Sequence, residues 1–120
     1  MRWIDSHCHL DLKNFNKDRE EVILRSEKEL ELIVNVASDV KSNEHVFNLA
    51  KKYKNIYGVL GIHPHDAKDF SDDFLKSIEE KIKHPKIVAI GEIGLDYYKN
   101  YSPKKIQLET FHKMVVFAIE

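Results

Sequence analysis

The sequence has one cysteine, Cys8, and only three prolines and four glycines among its 120 residues. A single cysteine cannot form an internal disulfide, which excludes the disulfide-stabilised secreted domains. The first residues, MRWIDSHCHL, lack the basic start and apolar run of a signal peptide, and the longest apolar runs, such as MVVFAI, are too short to span a bilayer. These absences predict a cytoplasmic protein with no membrane partner.

An excess of charge of one sign is also missing. The 19 basic and 20 acidic residues give a formal net charge of −1, while 42% of the residues are hydrophobic. This balance argues against a protein that holds DNA through a large uncompensated positive field. No low-complexity stretch, repeat or linker divides the sequence, which predicts that residues 1–120 belong to one domain.

Short apolar runs alternate with segments of helical periodicity along the whole sequence. Strands are predicted at residues 3–10, 31–38, 55–64 and 86–96, and helices at residues 16–30, 42–53, after residue 71, and from residue 103 to the end. Asn16 is the expected N-cap of the first helix, and Ser102 with Pro103 is a helix start signal for the last. Four strand-helix units predict an α/β fold with parallel strands.

Both a doubly wound sheet and half of a (β/α)8 barrel of the TIM type satisfy this alternation. Polar residues recur at the carboxyl ends of the first, third and fourth predicted strands. Barrel enzymes collect their chemistry at that rim, so the pattern favours the barrel with about four of its βα units in this chain.

The first predicted strand carries two histidines at alternate positions, in WIDSHCHLD. Successive side chains of a strand alternate between faces, so Asp5, His7 and His9 are expected on one face and Cys8 on the other. Two imidazoles on one face can bind a single divalent metal ion, with Asp5 orienting an imidazole or the strand backbone from behind. The alternative is a pair of hydrogen-bonded surface histidines, and Cys8 is expected to fill the core.

Two further polar groups end the third and fourth predicted strands. His63 and His65, in GIHPH, are candidate donors to a phosphate oxygen or to an attacking water, or else loop histidines of no consequence. Glu92, in AIGEIGLDYY, follows two inward aliphatic residues, and a buried carboxylate there needs a metal ion or a basic partner. Asp96 is either a supporting residue behind the ligands or a turn residue.

The motifs DSHCHLD, GIHPH and GEIGLDYY, followed by a proline-started helix, resemble the TatD family of metal-dependent deoxyribonucleases, which are TIM barrels of the metallo-dependent hydrolase group. The resemblance implies a hydrolase that removes nucleotides from a DNA end, with His7 and His9 as metal ligands and Glu92 as a catalytic carboxylate able to bridge two ions. It places His63 and His65 in contact with the substrate. One or two ions are expected, with Mg²⁺ typical of the family, although nitrogen ligands favour Zn²⁺ or Mn²⁺.

Family members continue through four further strand-helix units that supply two more histidines and an aspartate to the metal site. We therefore expect residues 1–120 to be the amino-terminal half of such a barrel, an incomplete fragment with weak metal binding and little nuclease activity, or a half-barrel that self-associates with a second copy. The alternative functions are another barrel hydrolase that opens with HxH, either a phosphoesterase or an amidohydrolase, and a non-catalytic binding module.

Overall fold

The computed structural model describes residues 2–120 as one parallel sheet flanked by helices. The elements, in chain order, are β1 (Trp3–Cys8), a 3-10 turn (Lys13–Phe15), α1 (Arg19–Ser26), β2 (Leu30–Val36), α2 (Val40–Lys52), β3 (Ile56–Leu60), a second 3-10 helix (Pro64–Asp69), α3 (Asp72–Lys81), β4 (Ile87–Ile90) and α4 (Lys104–Ile119). The strand order is β1-β2-β3-β4 and every neighbouring pair is parallel. The predicted alternation of four strands and four helices is confirmed.

Two clusters of apolar side chains form the core between the sheet and the helices. The first joins β3, α2, α3 and α4 and contains Ala37, Val46, Leu60, Ile62, Phe74, Ile78 and Met114. The second lies under α1 and contains Leu10, Ile23, Ile33 and Ile56. On the two edge strands of the described sheet, by contrast, Ile4 is 57% exposed and Val88 is 53% exposed. Within residues 2–120 no helix is long and apolar enough to cross a bilayer.

Both predicted N-caps are wrong, because other groups bind those side chains. Helix α1 begins at Arg19 after Asp18, and the Oδ1 atom of Asn16 instead accepts a hydrogen bond of 2.8 Å from the Arg19 guanidinium. Helix α4 begins after Pro103. The hydroxyl of Ser102 donates to the carbonyl oxygen of His65 at 2.7 Å and so fastens the segment before α4 to the segment after β3.

Strands β3 and β4 are shorter than predicted, because the chain leaves the sheet before the polar motifs. Strand β3 ends at Leu60 and β4 at Ile90, so His63, His65 and Glu92 all lie beyond the strands. The carboxyl ends of the strands therefore carry loops whose own hydrogen bonds position the polar side chains.

Candidate metal centre

Strand β1 contains a bulge between Asp5 and Cys8, and His7 lies within it. The register pairs Asp5 with Ile33 and Cys8 with Asn35, so that β1 has one more residue than β2 in this interval. A bulge of this kind redirects the side chains that follow it. The bulge interrupts the regular pairing that the prediction assumed, while Cys8 lies on the core side as expected.

His7 and His9 nevertheless converge. Their Nε2 atoms lie 3.2 Å apart, with the ring planes at 78° to one another. The Nδ1 atom of His9 is 2.8 Å from the carbonyl oxygen of Val36. Since a carbonyl oxygen can only accept, Nδ1 of His9 carries the proton and Nε2 presents its lone pair towards His7. That tautomer is the one in which Nε2 binds a metal ion.

Two polar residues hold the backbone around the histidines. Asp5 Oδ1 accepts a 3.1 Å hydrogen bond from the amide of His7, so its carboxylate orients the bulge and not an imidazole ring. Asn35, which is fully buried, accepts a 2.7 Å hydrogen bond from the amide of Leu10. Asn35 was not predicted as a site residue, although a single polar residue inside the apolar run ELIVNVAS is the signal that identifies it.

The cysteine between the histidines takes no part in the centre. Burial, together with the nearby Asp5 carboxylate, raises the pKa of the Cys8 thiol to about 12. Its sulfur lies 3.9 Å from Asn35 Oδ1, on the core side of β1. The side chain of Cys8 therefore packs against the core cluster under α1, as the sequence predicted.

Two backbone hydrogen bonds bring Glu92 to the histidines from beyond the end of β4. The amide of Gly91 donates to the carbonyl oxygen of Leu60 at 2.9 Å, and the amide of Glu92 donates to the carbonyl oxygen of Ala37 at 3.1 Å. Because Ala37 directly follows β2, the second bond holds Glu92 over the carboxyl end of β3. The carboxylate thereby reaches the end of β1, which is two strands away from β3 in the sheet.

His7, His9 and Glu92 form a group that fits a divalent metal ion. Glu92 Oε1 is 3.6 Å from His7 Nε2, Glu92 Oε2 is 3.9 Å from His9 Nε2, and one donor atom from each side chain lies within 4.8 Å of the others. Two nitrogens bound tetrahedrally at ~2.0–2.1 Å from one ion stand about 3.3 Å apart, close to the spacing of the two imidazoles. Among residues 2–120, no other set of three such side chains meets this criterion.

The residues of GIHPH have separate environments. His63 Nδ1 accepts a 3.1 Å hydrogen bond from the amide of His65, which leaves the proton of a neutral His63 on Nε2. His63 lines an open cleft of about 720 Å³ together with Glu92 and Asp96. The His65 ring lies between the rings of His63 and Tyr101, at centroid distances of 4.3 and 4.8 Å, and its Nε2 atom is hydrogen-bonded to Asp96 Oδ2. His65 thus contacts Asp96 and is not among the residues that line the cleft.

Asp96 organises the loop between Glu92 and α4. Its Oδ1 atom accepts hydrogen bonds from the amides of Tyr98 and Lys99 at 2.9 and 3.0 Å. The Lys99 amide and the His65 imidazole hold the pKa of Asp96 below its usual value. The side chain of Gln107, which is fully buried in α4, accepts from the amide of Asp96 at 2.8 Å. Asp96 therefore links His65 to a buried anchor.

We expect Asp96→Asn to reduce the pH dependence of the free energy of unfolding in acid. A carboxylate whose pKa is lowered by folding stabilises the native state above its unfolded pKa, and that contribution is lost as the pH falls through the folded pKa. Urea unfolding between about pH 2.5 and 6 should therefore show the variant less stable at pH 6, with the difference shrinking in acid. The control is Glu31→Gln, which replaces an exposed carboxylate near the amino end of β2. Parallel curves for Asp96→Asn and the parent would contradict the prediction.

Comparison with known proteins finds relatives along nearly the whole chain. A sequence model described as TatD-related DNase matches residues 4–120. The chain is 41% identical over 117 residues to the uncharacterized metal-dependent hydrolase YabD of Bacillus subtilis, covering 97% of this chain and 46% of YabD. It is 28% identical over 117 residues to the 3'-5' ssDNA/RNA exonuclease TatD of Salmonella typhimurium, covering 97% of this chain and 45% of that protein.

A solved structure extends the similarity to the fold. The crystal structure of YjjV, a TatD homologue from Escherichia coli, matches with a TM-score of 0.84 and 30% identity, over 98% of this chain and 46% of YjjV. The four strand-helix units correspond to half of the TIM barrel of that structure, as the sequence predicted. The chain thus spans about half the length of the relatives that it matches.

Proposed function

The chain belongs to the family of TatD-related DNases, a family of metal-dependent hydrolases, and on that basis we propose that the protein hydrolyses phosphodiester bonds of DNA from a strand end. The observation that carries the proposal is the convergence of His7, His9 and Glu92 on one point at the carboxyl end of the sheet. The exonuclease named among the relatives supports nucleic acid as the substrate class.

Each residue of the proposed centre has a distinct part. The hydrogen bond to Val36 fixes the tautomer of His9, whose Nε2 atom is one donor. His7 and Glu92 supply the other two donor atoms. A divalent ion bound there would activate water and offset the negative charge that grows on the scissile phosphate. We propose Mg²⁺ as the physiological ion, because it is typical of the family. Zn²⁺ and Mn²⁺ are the alternatives, since two imidazole ligands favour them. The two oxygens of Glu92, each nearer a different histidine, suit either one ion or a bridge between two.

His63 is the proposed phosphate contact from the protein side. Its Nε2–H, left free by the hydrogen bond at Nδ1, is a donor in the wall of the cleft that also contains Glu92. His65 and Asp96 hold that ring in place, since the His65 amide binds it and Asp96 binds the His65 imidazole. In this proposal His65 positions His63 and does not touch the scissile phosphate.

The test is hydrolysis of end-labelled single-stranded DNA by the complete gene product, with each metal ion and with EDTA. We expect metal-dependent shortening of the strand, abolished by EDTA, and a loss of at least about 100-fold in kcat/KM for Glu92→Gln. His112→Ala, an exposed histidine on α4, is the matched control. A phosphomonoester and a cyclic amide are assayed in parallel. Turnover of either, with DNA left intact, would assign the protein to one of the other HxH hydrolases.

A further inference from the structure

Three tyrosines lie in the segment between β4 and α4 that we call the tyrosine loop, residues 96–103. Tyr97 is 44% exposed, Tyr98 is 90% exposed and Tyr101 is 58% exposed. Tyr97 and Tyr98 also line the cleft that contains Glu92. The loop therefore presents aromatic rings to solvent at the rim of the proposed metal centre.

The exposure of Tyr98 does not come from a loose backbone. Besides the two amides bound by Asp96, the Asn100 side chain donates to the carbonyl oxygen of Tyr97 at 2.6 Å, with Asn100 itself at a φ of 52°. Gln107 donates to the carbonyl oxygen of Ser102 at 2.8 Å. Hydrogen bonds thus fasten the loop at both ends and in its middle. Because the backbone that carries the ring is already fixed, a ligand that binds the ring does not have to order the loop.

Positive charge accompanies the rings. The Nζ atom of Lys99 lies 5.6 Å from the centre of the Tyr98 ring, and that of Lys104 lies 5.2 Å from the centre of the Tyr97 ring. The carboxylate of Asp96, which carries the opposite charge, is bound by two amides and by His65. Aromatic rings next to lysines are the combination with which proteins bind single-stranded nucleic acids, because the rings stack on bases and the lysines attract phosphates.

We propose that Tyr98 stacks on one base of a single-stranded nucleic acid, with Lys99 contacting the backbone of the same strand. The proposal deepens the proposed function, on which it rests, by naming a base-binding subsite beside the metal centre. A duplex would not bind in this way, since its bases are already stacked on both faces. Because stacking does not read hydrogen-bonding groups, the subsite requires a base and tolerates any of the four.

The experiment measures binding in EDTA, where no hydrolysis interferes. Fluorescence anisotropy is recorded with a short labelled single-stranded oligonucleotide and with an abasic strand of equal length, for the parent, Tyr98→Ala, Tyr98→Phe and Lys99→Ala. We expect Tyr98→Ala to raise the Kd for the base-containing strand about tenfold and to leave the abasic strand unaffected. Tyr98→Phe should bind like the parent, because the ring remains, and Lys99→Ala should weaken binding of both strands.

A second measurement does not depend on loss of binding. In a Trp3→Phe background, Tyr98→Trp should show fluorescence quenched by the base-containing strand and not by the abasic one. The parent, whose one tryptophan is Trp3 at the start of β1, should show no quenching. Equal affinity of Tyr98→Ala and the parent for the base-containing strand would overturn the proposal. So would an equal loss for both strands, the result expected if the ring contacted the sugar-phosphate backbone and not a base.

These outcomes are separable from the proposed function. Base-dependent binding through Tyr98 without any EDTA-sensitive hydrolysis by the complete gene product would keep the subsite and reject the nuclease assignment. EDTA-sensitive hydrolysis of DNA combined with unchanged binding in Tyr98→Ala would keep the nuclease assignment and reject the subsite.

Discussion

Replacing Glu92 with glutamine is expected to weaken binding of divalent ions at least about 100-fold. Glu92 supplies the only negatively charged donor of the group, and the amide that replaces it is neutral. Loss of a residue that merely supports a ligand typically costs about 10- to 100-fold in metal affinity, so loss of the ligand itself should cost more. His7→Ala should have a comparable effect, because it leaves His9 and Glu92 without the third donor atom.

Calorimetric titration of the metal-free protein with Zn²⁺, Mn²⁺ and Mg²⁺ measures this effect. Glu109→Gln and His112→Ala, which replace an exposed glutamate and an exposed histidine of α4, are the matched controls and should bind like the parent. Unchanged metal content in the double variant His7→Ala, Glu92→Gln would place the ligands elsewhere. If cellular function were also unchanged, the result would favour a non-catalytic binding module.

Patterns local in the sequence predicted the fold correctly. Strands β2, β3 and β4 are short apolar runs, and helical segments separate them, so the order of elements follows from neighbouring residues alone. The same local logic identified His7, His9 and Glu92, since each sits next to the carboxyl end of a predicted strand. Which polar residues meet could therefore be inferred before their geometry was known.

Interactions between distant segments account for what the sequence did not predict. The bulge in β1 depends on its register with β2, and the position of Glu92 depends on a hydrogen bond to Ala37, 55 residues earlier in the chain. Asn16 and Ser102 have good capping chemistry, yet Arg19 and His65 bind their side chains instead. The pairing of His65 with Asp96, 31 residues later in the chain, was also not predicted. None of these pairings has a periodic signature.

Gly61→Ala is expected to destabilise the protein by about 3 kcal/mol and to impair metal binding at the same time. A Cβ atom at position 61 would lie 2.5 Å from the carbonyl oxygen and 2.9 Å from the Cα atom of Gly91. Both are backbone atoms, so no side-chain rotation relieves the overlap. Gly61 is itself held by the side chain of Asn43, through bonds of 2.9 and 2.7 Å at its amide and carbonyl groups. The segment at Gly91 must therefore move, and Glu92, the next residue, moves with it.

Gly58→Ala is the matched control, because its Cβ would meet a side chain and not the backbone. The closest atom is Cδ1 of Ile87, at 2.6 Å, which a change of rotamer can withdraw. We expect a loss of about 1 kcal/mol and unchanged metal affinity for this variant. Urea unfolding and calorimetric titration of both variants separate the two effects. If Gly61→Ala lost stability but bound metal like Gly58→Ala, the close approach of Gly61 to Gly91 would support the fold without positioning Glu92. Loss of both in Gly61→Ala alone would show that this backbone contact sets the distance between Glu92 and the two histidines.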